Sequence, residues 1–444
     1  MRSMRAIDHA TRTDLHWLGV SWLLCSLPPT SAPMGLLSLN DDALILVFSH
    51  LYGRDALHAS LVSQRLSILA SPRIASVIHC SSPSELRRLH RYLLSPLPGG
   101  TLRVKYLEQL SISTSSFEDA ANDGHDTPPE SFDDGADMVD SYYGADFSQA
   151  QLIGDILVEA ENLREINLER FHPCLKRDPR IGSALRAISH LINIRLSTLG
   201  DDAITDVLQH MKGDAIERLT LSYHVYDDFP LPEQPKSLPP LLSALSSFRN
   251  LHTVKLWNFT PAVAPPPTSS YELLPSIRYL RLSEASAPAL HMVELCPNLS
   301  TLIFSIDREE SEPTPIVGSR WPALRRLMLT DLNEADCVSS RLGTVDQLQI
   351  ADTVSLVIPM SFTQESSTTR LLRLLRITSP VSLYLSFLRV ADEDRLSFRM
   401  FWREAASMIS RLRSLELKLA RNISEARRDF EWLVSGAQGY PTHD

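Results

Sequence analysis

Residues 251–256 read Leu-His-Thr-Val-Lys-Leu, and residues 277–282 read Ile-Arg-Tyr-Leu-Arg-Leu. Both fit one template, apolar-x-x-apolar-x-apolar. Its last three positions alternate, as in a short strand with one buried face. The template recurs at Leu107-Leu110-Ile112, Leu163-Ile166-Leu168, Leu191-Ile194-Leu196 and Ile216-Leu219-Leu221. It recurs again at Leu299-Leu302-Phe304, Leu324-Leu327-Leu329, Val345-Leu348-Ile350 and Leu412-Leu415-Leu417. A further match, Leu372-Leu375-Ile377, reads better as a helix, because Leu371, Leu372, Leu374 and Leu375 suit one helical face. The strand of that unit is then expected at Val381-Leu383-Leu385. Most consecutive starts lie 21 to 35 residues apart, and helical patterns such as 204–211, 241–248 and 287–295 fill the gaps.

A strand plus a helix, repeated at this spacing, is the signature of a leucine-rich repeat. No unit can bury its strand alone, so neighbours must stack. The expectation is an α/β solenoid over 81–444, with parallel strands on the concave side and helices on the convex side.

Segment 113–150 interrupts the array. It holds ten acidic residues and no Lys or Arg, with Pro128 and Pro129, and reads as an acidic disordered insertion. The whole chain has 43 Lys and Arg against 53 Asp and Glu, a net charge of −10. The insertion accounts for the whole excess, so the remainder is neutral and a general cationic coat for nucleic acid is excluded. No apolar run reaches the ~18 residues needed to span a bilayer, so no membrane partner is expected. Cys25, Cys80, Cys174, Cys296 and Cys337 form no CxxC pair, so neither a disulfide framework nor a metal site is expected. Residues 1–35 read as a disordered leader. The alternative, a secretion signal, is weakened by His16, Ser21 and Ser26 within its apolar part. The Pro-rich stretches 229–240 and 261–267 read as loops.

Residues 36–80 form a different pattern, a compact helical unit. Asn40 is placed to cap a first helix, and Leu44, Val47, Phe48 and Leu51 fall at i, i+3, i+4 and i+7. Gly53 reads as its stop, Asp55 as a cap for a second helix with Leu57 and Leu61, and Pro72 as the end of a third.

Residues 39–70 resemble the F-box motif. Leu39, Asp42, Leu44, Val47, Phe48, Ser49 and Leu51 match its first helix. Asp55, Leu57, Ser60, Leu61 and Val62 match the second, and Arg65, Leu69 and Ala70 the third. Asn40 stands where the family has Pro, and Leu66 where it has Trp. An F-box followed by irregular repeats is the layout of F-box/leucine-rich-repeat proteins. The resemblance implies a non-catalytic substrate receptor of an SCF-type ubiquitin ligase, working in the cytoplasm or nucleus without a cofactor. Its F-box would dock on the Skp-type adaptor through Leu39, Leu44, Val47, Phe48, Leu51, Leu57, Leu61, Val62 and Leu66. A protein scaffold without ubiquitin coupling and a secreted recognition protein are the alternative readings.

Catalytic spacings are lacking: there is no G-x-S-x-G, H-E-x-x-H, phosphate loop or G-x-G-x-x-G. The informative surface is the expected concave face, built from the third, fifth and seventh template positions. These begin with Glu165, Asn167 and Glu169. They turn basic through Arg195, Arg218, Lys255, Arg281 and Arg326, with the aromatics Trp257 and Tyr279 among them. Arg and aromatic side chains are frequent hot spots for protein partners, and a basic face favours an acidic or phosphorylated segment. The acidic insertion is itself a candidate tethered competitor for that face.

Overall fold

The structure is a computed structural model. It describes residues 36–51, 53–97, 99–118, 147–223, 238–261, 272–306, 321–330, 334, 337–338, 351–358, 365–387, 395–408 and 411–419. The leader 1–35, the acidic centre 119–146, most of both Pro-rich stretches and the Val345–Ile350 match lie outside these residues. The chain divides into two compact units, residues 1–74 and 75–444.

The first unit holds helices α1 (Asp41–Ser49), α2 (Gly53–Ser60) and most of α3 (Gln64–Ser76). Asn40 caps α1, its side chain accepting from the Ala43 amide at 2.9 Å. Gly53 does not stop α1. It opens α2 with φ +46°, a left-handed value that glycine adopts without a Cβ clash. Pro72 does not end α3, which runs four residues past it. A proline costs a helix one amide donor and crowds the carbonyl four residues back, which is tolerated here. Leu44, Phe48, Leu66 and Ala70 form a small apolar core, with Leu39, Leu51, Ala59, Leu69 and Ile74 packed against it.

Among its described residues the second unit forms a 12-stranded sheet in which strand order follows chain order and every pairing is parallel. The strands are β1 (Val77–Cys80), β2 (Gln109–Ile112), β3 (Glu165–Leu168), β4 (Asn193–Ser197), β5 (Arg218–Ser222) and β6 (Thr253–Trp257). They continue as β7 (Tyr279–Ala285), β8 (Thr301–Ile306), β9 (Leu324–Leu329), β10 (Ala351–Ile358), β11 (Ser382–Phe387) and β12 (Ser414–Leu419). One register row runs Ile78, Leu110, Ile166, Ile194, Leu219, Val254, Leu280, Leu302, Leu327, Val354, Leu383 and Leu415. From Leu110 to Leu383 this row is buried, in one core with Ile153 and Leu157, Leu241 and Leu245, Met292 and Val293, and Leu371 and Leu374 of the intervening helices. The helices therefore cover one face of the sheet. Parallel sheets are usually covered on both faces. Here the alternating burial of β2, β3, β5 and β6 leaves the second face partly in solvent.

Two strands differ from expectation. Val77–Cys80, expected within the helical unit 36–80, is the first strand of the sheet, so the array begins at 75 rather than 81. The strand between β9 and β11 is 351–358, not the Val345–Ile350 match. Both true strands follow the template with alanine first, Ala75-x-x-Ile78-x-Cys80 and Ala351-x-x-Val354-x-Leu356.

The insertion is also narrower than 113–150. Residues 114–117 and 147–149 form short 3-10 turns. Phe117 and Phe147 are buried with ring centroids 5.3 Å apart, so the segment leaves and returns at one point. Burying two aromatic side chains outweighs the cost of ordering these few flanking residues. The helix that follows the segment, Ala150–Glu159, is tied to its neighbours by polar contacts at Asp155. Asp155 sits 3.0 Å from His90 and 2.8 Å from Arg180, which also grips the buried Asp178 at 2.8 Å.

Four units leave their strand through a left-handed residue seven positions after the template start: Arg170 (φ 60°), Thr198 (57°), Asn258 (53°) and Glu284 (52°). Amides at and just after these turns reach the neighbouring unit; Leu199 N donates to Ser222 O at 3.1 Å and Asn258 N to Ser283 O at 2.9 Å.

Candidate binding face

The third, fifth and seventh template positions all lie on the face of the sheet opposite the helices. The third-position row runs Glu165, Asn193, Arg218, Thr253, Tyr279, Thr301 and Arg326. The fifth runs Asn167, Arg195, Thr220, Lys255, Arg281, Ile303 and Met328. Arg195, Arg218 and Arg326 are exposed, and Lys255, Trp257, Tyr279 and Arg281 are half-buried. All seven residues expected on the partner-binding face are thus brought to one surface.

Parallel registry sets their geometry. Lys255 is level with Arg281, and Trp257 with Ser283, so the aromatic of each strand meets the cation of its neighbour on a diagonal. The Arg281 guanidinium lies 4.3 Å from the Trp257 ring centre, and the Lys255 ammonium 5.9 Å from the Tyr279 ring centre. Each contact is worth about 0.5–1 kcal/mol at a partly exposed site. Arg281 Nε also donates to Ser283 Oγ at 2.9 Å. Ring contact and hydrogen bond together restrain the guanidinium, and among the described residues its two terminal nitrogens make no hydrogen bond. Burial raises the Tyr279 phenol above its ordinary range, and the cations of Arg281 and Arg326 pull it partly back.

The outward third, fifth and seventh positions of β4 to β9 hold five cations and no carboxylate. Among the described residues, Arg195, Arg218, Arg281 and Arg326 have no ion-pair partner. The acids at the β3 end are engaged locally instead. Glu165 accepts from Asn193 Nδ2 at 3.2 Å, and Glu169 from the Thr114 amide and hydroxyl at 2.6 and 2.9 Å.

The helical unit redistributes the nine residues expected to meet an adaptor. Leu44, Phe48 and Leu66 are not surface residues: they are 0 to 2% exposed and close on one another and on Ala70 as the unit's own core. Leu39 and Leu51 lean against that core. Val47, Leu57, Leu61 and Val62 are exposed, Leu61 by 76%. Sequence reasoning missed Ile45, Leu46 and Ile68, which are also exposed. Their signal was present: residues 43–48 are apolar all round the helix, so α1 carries apolar side chains away from its core face as well. Arg65, one of the motif-matching residues, ties α3 to the start of α1. Its Nε donates to Asp41 at 2.8 Å and its terminal nitrogens to Leu37 O and Leu39 O at 2.9 and 2.7 Å.

Burial pushes the Cys296 thiol up to about 12 and raises Cys174 and Cys80 as well, which suppresses thiolate chemistry at neutral pH. Among the described residues, no three His, Cys, Asp or Glu side chains converge to hold a metal ion, and no helix is long and apolar enough to cross a membrane. In comparisons with known proteins, no family model and no curated protein matches the chain.

Proposed function

We propose that the chain is a non-catalytic substrate receptor of the F-box/leucine-rich-repeat kind. In this reading residues 39–70 dock on a Skp-type adaptor of a cullin-based ubiquitin ligase, in the cytoplasm or nucleus. The 12-stranded sheet is then the inner face of a leucine-rich-repeat solenoid, and its solvent-facing side receives the target protein. The observation that carries the reading is the set of exposed apolar side chains, Leu46, Val47, Leu57, Leu61, Val62 and Ile68, on a helical unit that already has its own core. An exposed apolar group of this size is a marker of an interaction site.

Capture by a purified Skp-type adaptor tests it. The wild-type chain is expected to be retained, and Leu61→Glu with Val62→Glu to abolish retention while leaving helical circular dichroism unchanged, since both positions are exposed. No retention of the wild-type chain would leave the scaffold reading. That reading is favoured by Leu66, which is buried in the unit's core and offers no surface where the family presents Trp.

A further inference from the structure

We infer that the solvent-facing side of β4 to β9 binds an extended acidic segment of a partner protein, lying across the strands, with an apolar side chain at its β8–β9 end. The inference rests on the reading of this face as the target-binding surface and names the chemistry of its ligand.

Arg195, Arg218, Lys255, Arg281 and Arg326 each sit on a different strand, β4, β5, β6, β7 and β9. At about 4.8 Å per strand they span ~24 Å, the length of roughly seven extended residues. The cations are therefore spread along a line rather than gathered at a point. A single phosphate would be best served by converging donors, whereas a row of carboxylates matches spaced ones. The third, fifth and seventh positions of these six strands lack a carboxylate, so the rows that carry the cations present no like charge to an acidic ligand. Arg281, restrained by the Trp257 ring and by Ser283 Oγ, is partly ordered before a ligand arrives, which lowers the ordering cost of a carboxylate contact. Beyond Arg281 the same register row continues with Ile303 and Met328, both half-buried on this face. These two side chains offer an apolar seat where the cations thin out.

The test is fluorescence anisotropy with the full chain and a labelled peptide of about eight residues, rich in Glu and ending in Leu. Saturable binding is expected. It should weaken about tenfold or more when NaCl rises from about 50 to about 500 mM, and when Arg195→Glu and Arg218→Glu are combined. Both arginines are exposed and unstacked, so the double variant keeps the fold, checked by circular dichroism. Replacing Leu by Ser in the peptide should weaken binding several-fold, and replacing every Glu by Gln should abolish it.

Equal binding of the Gln peptide, or no effect of the double variant, would overturn the inference. So would binding confined to a peptide whose only charge is one phosphoserine. Binding seen only after deletion of residues 119–146 would identify the chain's own acidic segment as the occupant and overturn the assignment to a partner. Adaptor capture is measured separately, so a chain that is retained by the adaptor but ignores acidic peptides refutes this inference and leaves the receptor proposal standing.

Discussion

Thr198 carries one of the least comfortable backbones in the molecule. Its φ of 57° is left-handed, and a β-branched side chain there is crowded by its own carbonyl. The turn persists because the residues around it, including Leu199 N donating to Ser222 O at 3.1 Å, fix the exit from β4. Thr198→Gly is therefore expected to stabilise the chain by about 1 kcal/mol, read as a higher urea midpoint at unchanged slope. A lower midpoint would mean that the threonine side chain contributes more than the strain it imposes. The exit positions illustrate what a sequence hides at this scale. Arg, Thr, Asn and Glu share no chemistry that announces a left-handed turn; only the spacing from the template start aligns them. The diagonal stacks are similar. That Trp257, Tyr279, Lys255 and Arg281 share a face follows from the period of two. Which cation lies over which ring needs the strand register, and only the folded sheet supplies it.

Among elements, the strands were the most legible, because two inward aliphatic side chains per strand repeat in fixed phase. Legibility failed where alanine took the first apolar position, in β1 and β10, since one small side chain removes a third of the template. It failed differently in the helical unit. There, periodicity identified Leu44, Phe48 and Leu66 as apolar but could not tell whether they face a partner or one another. The inward row also ranks the strands by how much each depends on its neighbours. Leu280 of β7 is 0% exposed, whereas Leu415 of β12 is 44% exposed. Leu280→Ala is expected to cost about 2–5 kcal/mol by leaving a cavity in a packed layer, and Leu415→Ala about 1 kcal/mol. Denaturant titration of both variants measures the difference. Equal losses would show that the last strand is packed as firmly as the central ones.

At the scale of the whole molecule, the governing fact is that the described strands pair only with their immediate neighbours in sequence. Stability in such an array is a sum of local terms. A chain ended after residue 358, which keeps β1 to β10, is accordingly expected to retain the per-residue circular dichroism of the intact protein and a cooperative melt. A global loss of structure would show that β11 and β12 close a core the rest cannot form alone. The same order bears on how the protein is born. A sheet whose strands are shuffled relative to the chain must wait for distant segments to emerge from the ribosome before it can pair. Here each newly synthesised strand finds its partner already in place, and the exposed edge waiting for it is never more than one strand wide. The acidic segment between β2 and β3 imposes the longest pause in that progress. Phe117 and Phe147 mark where assembly stops and where it resumes.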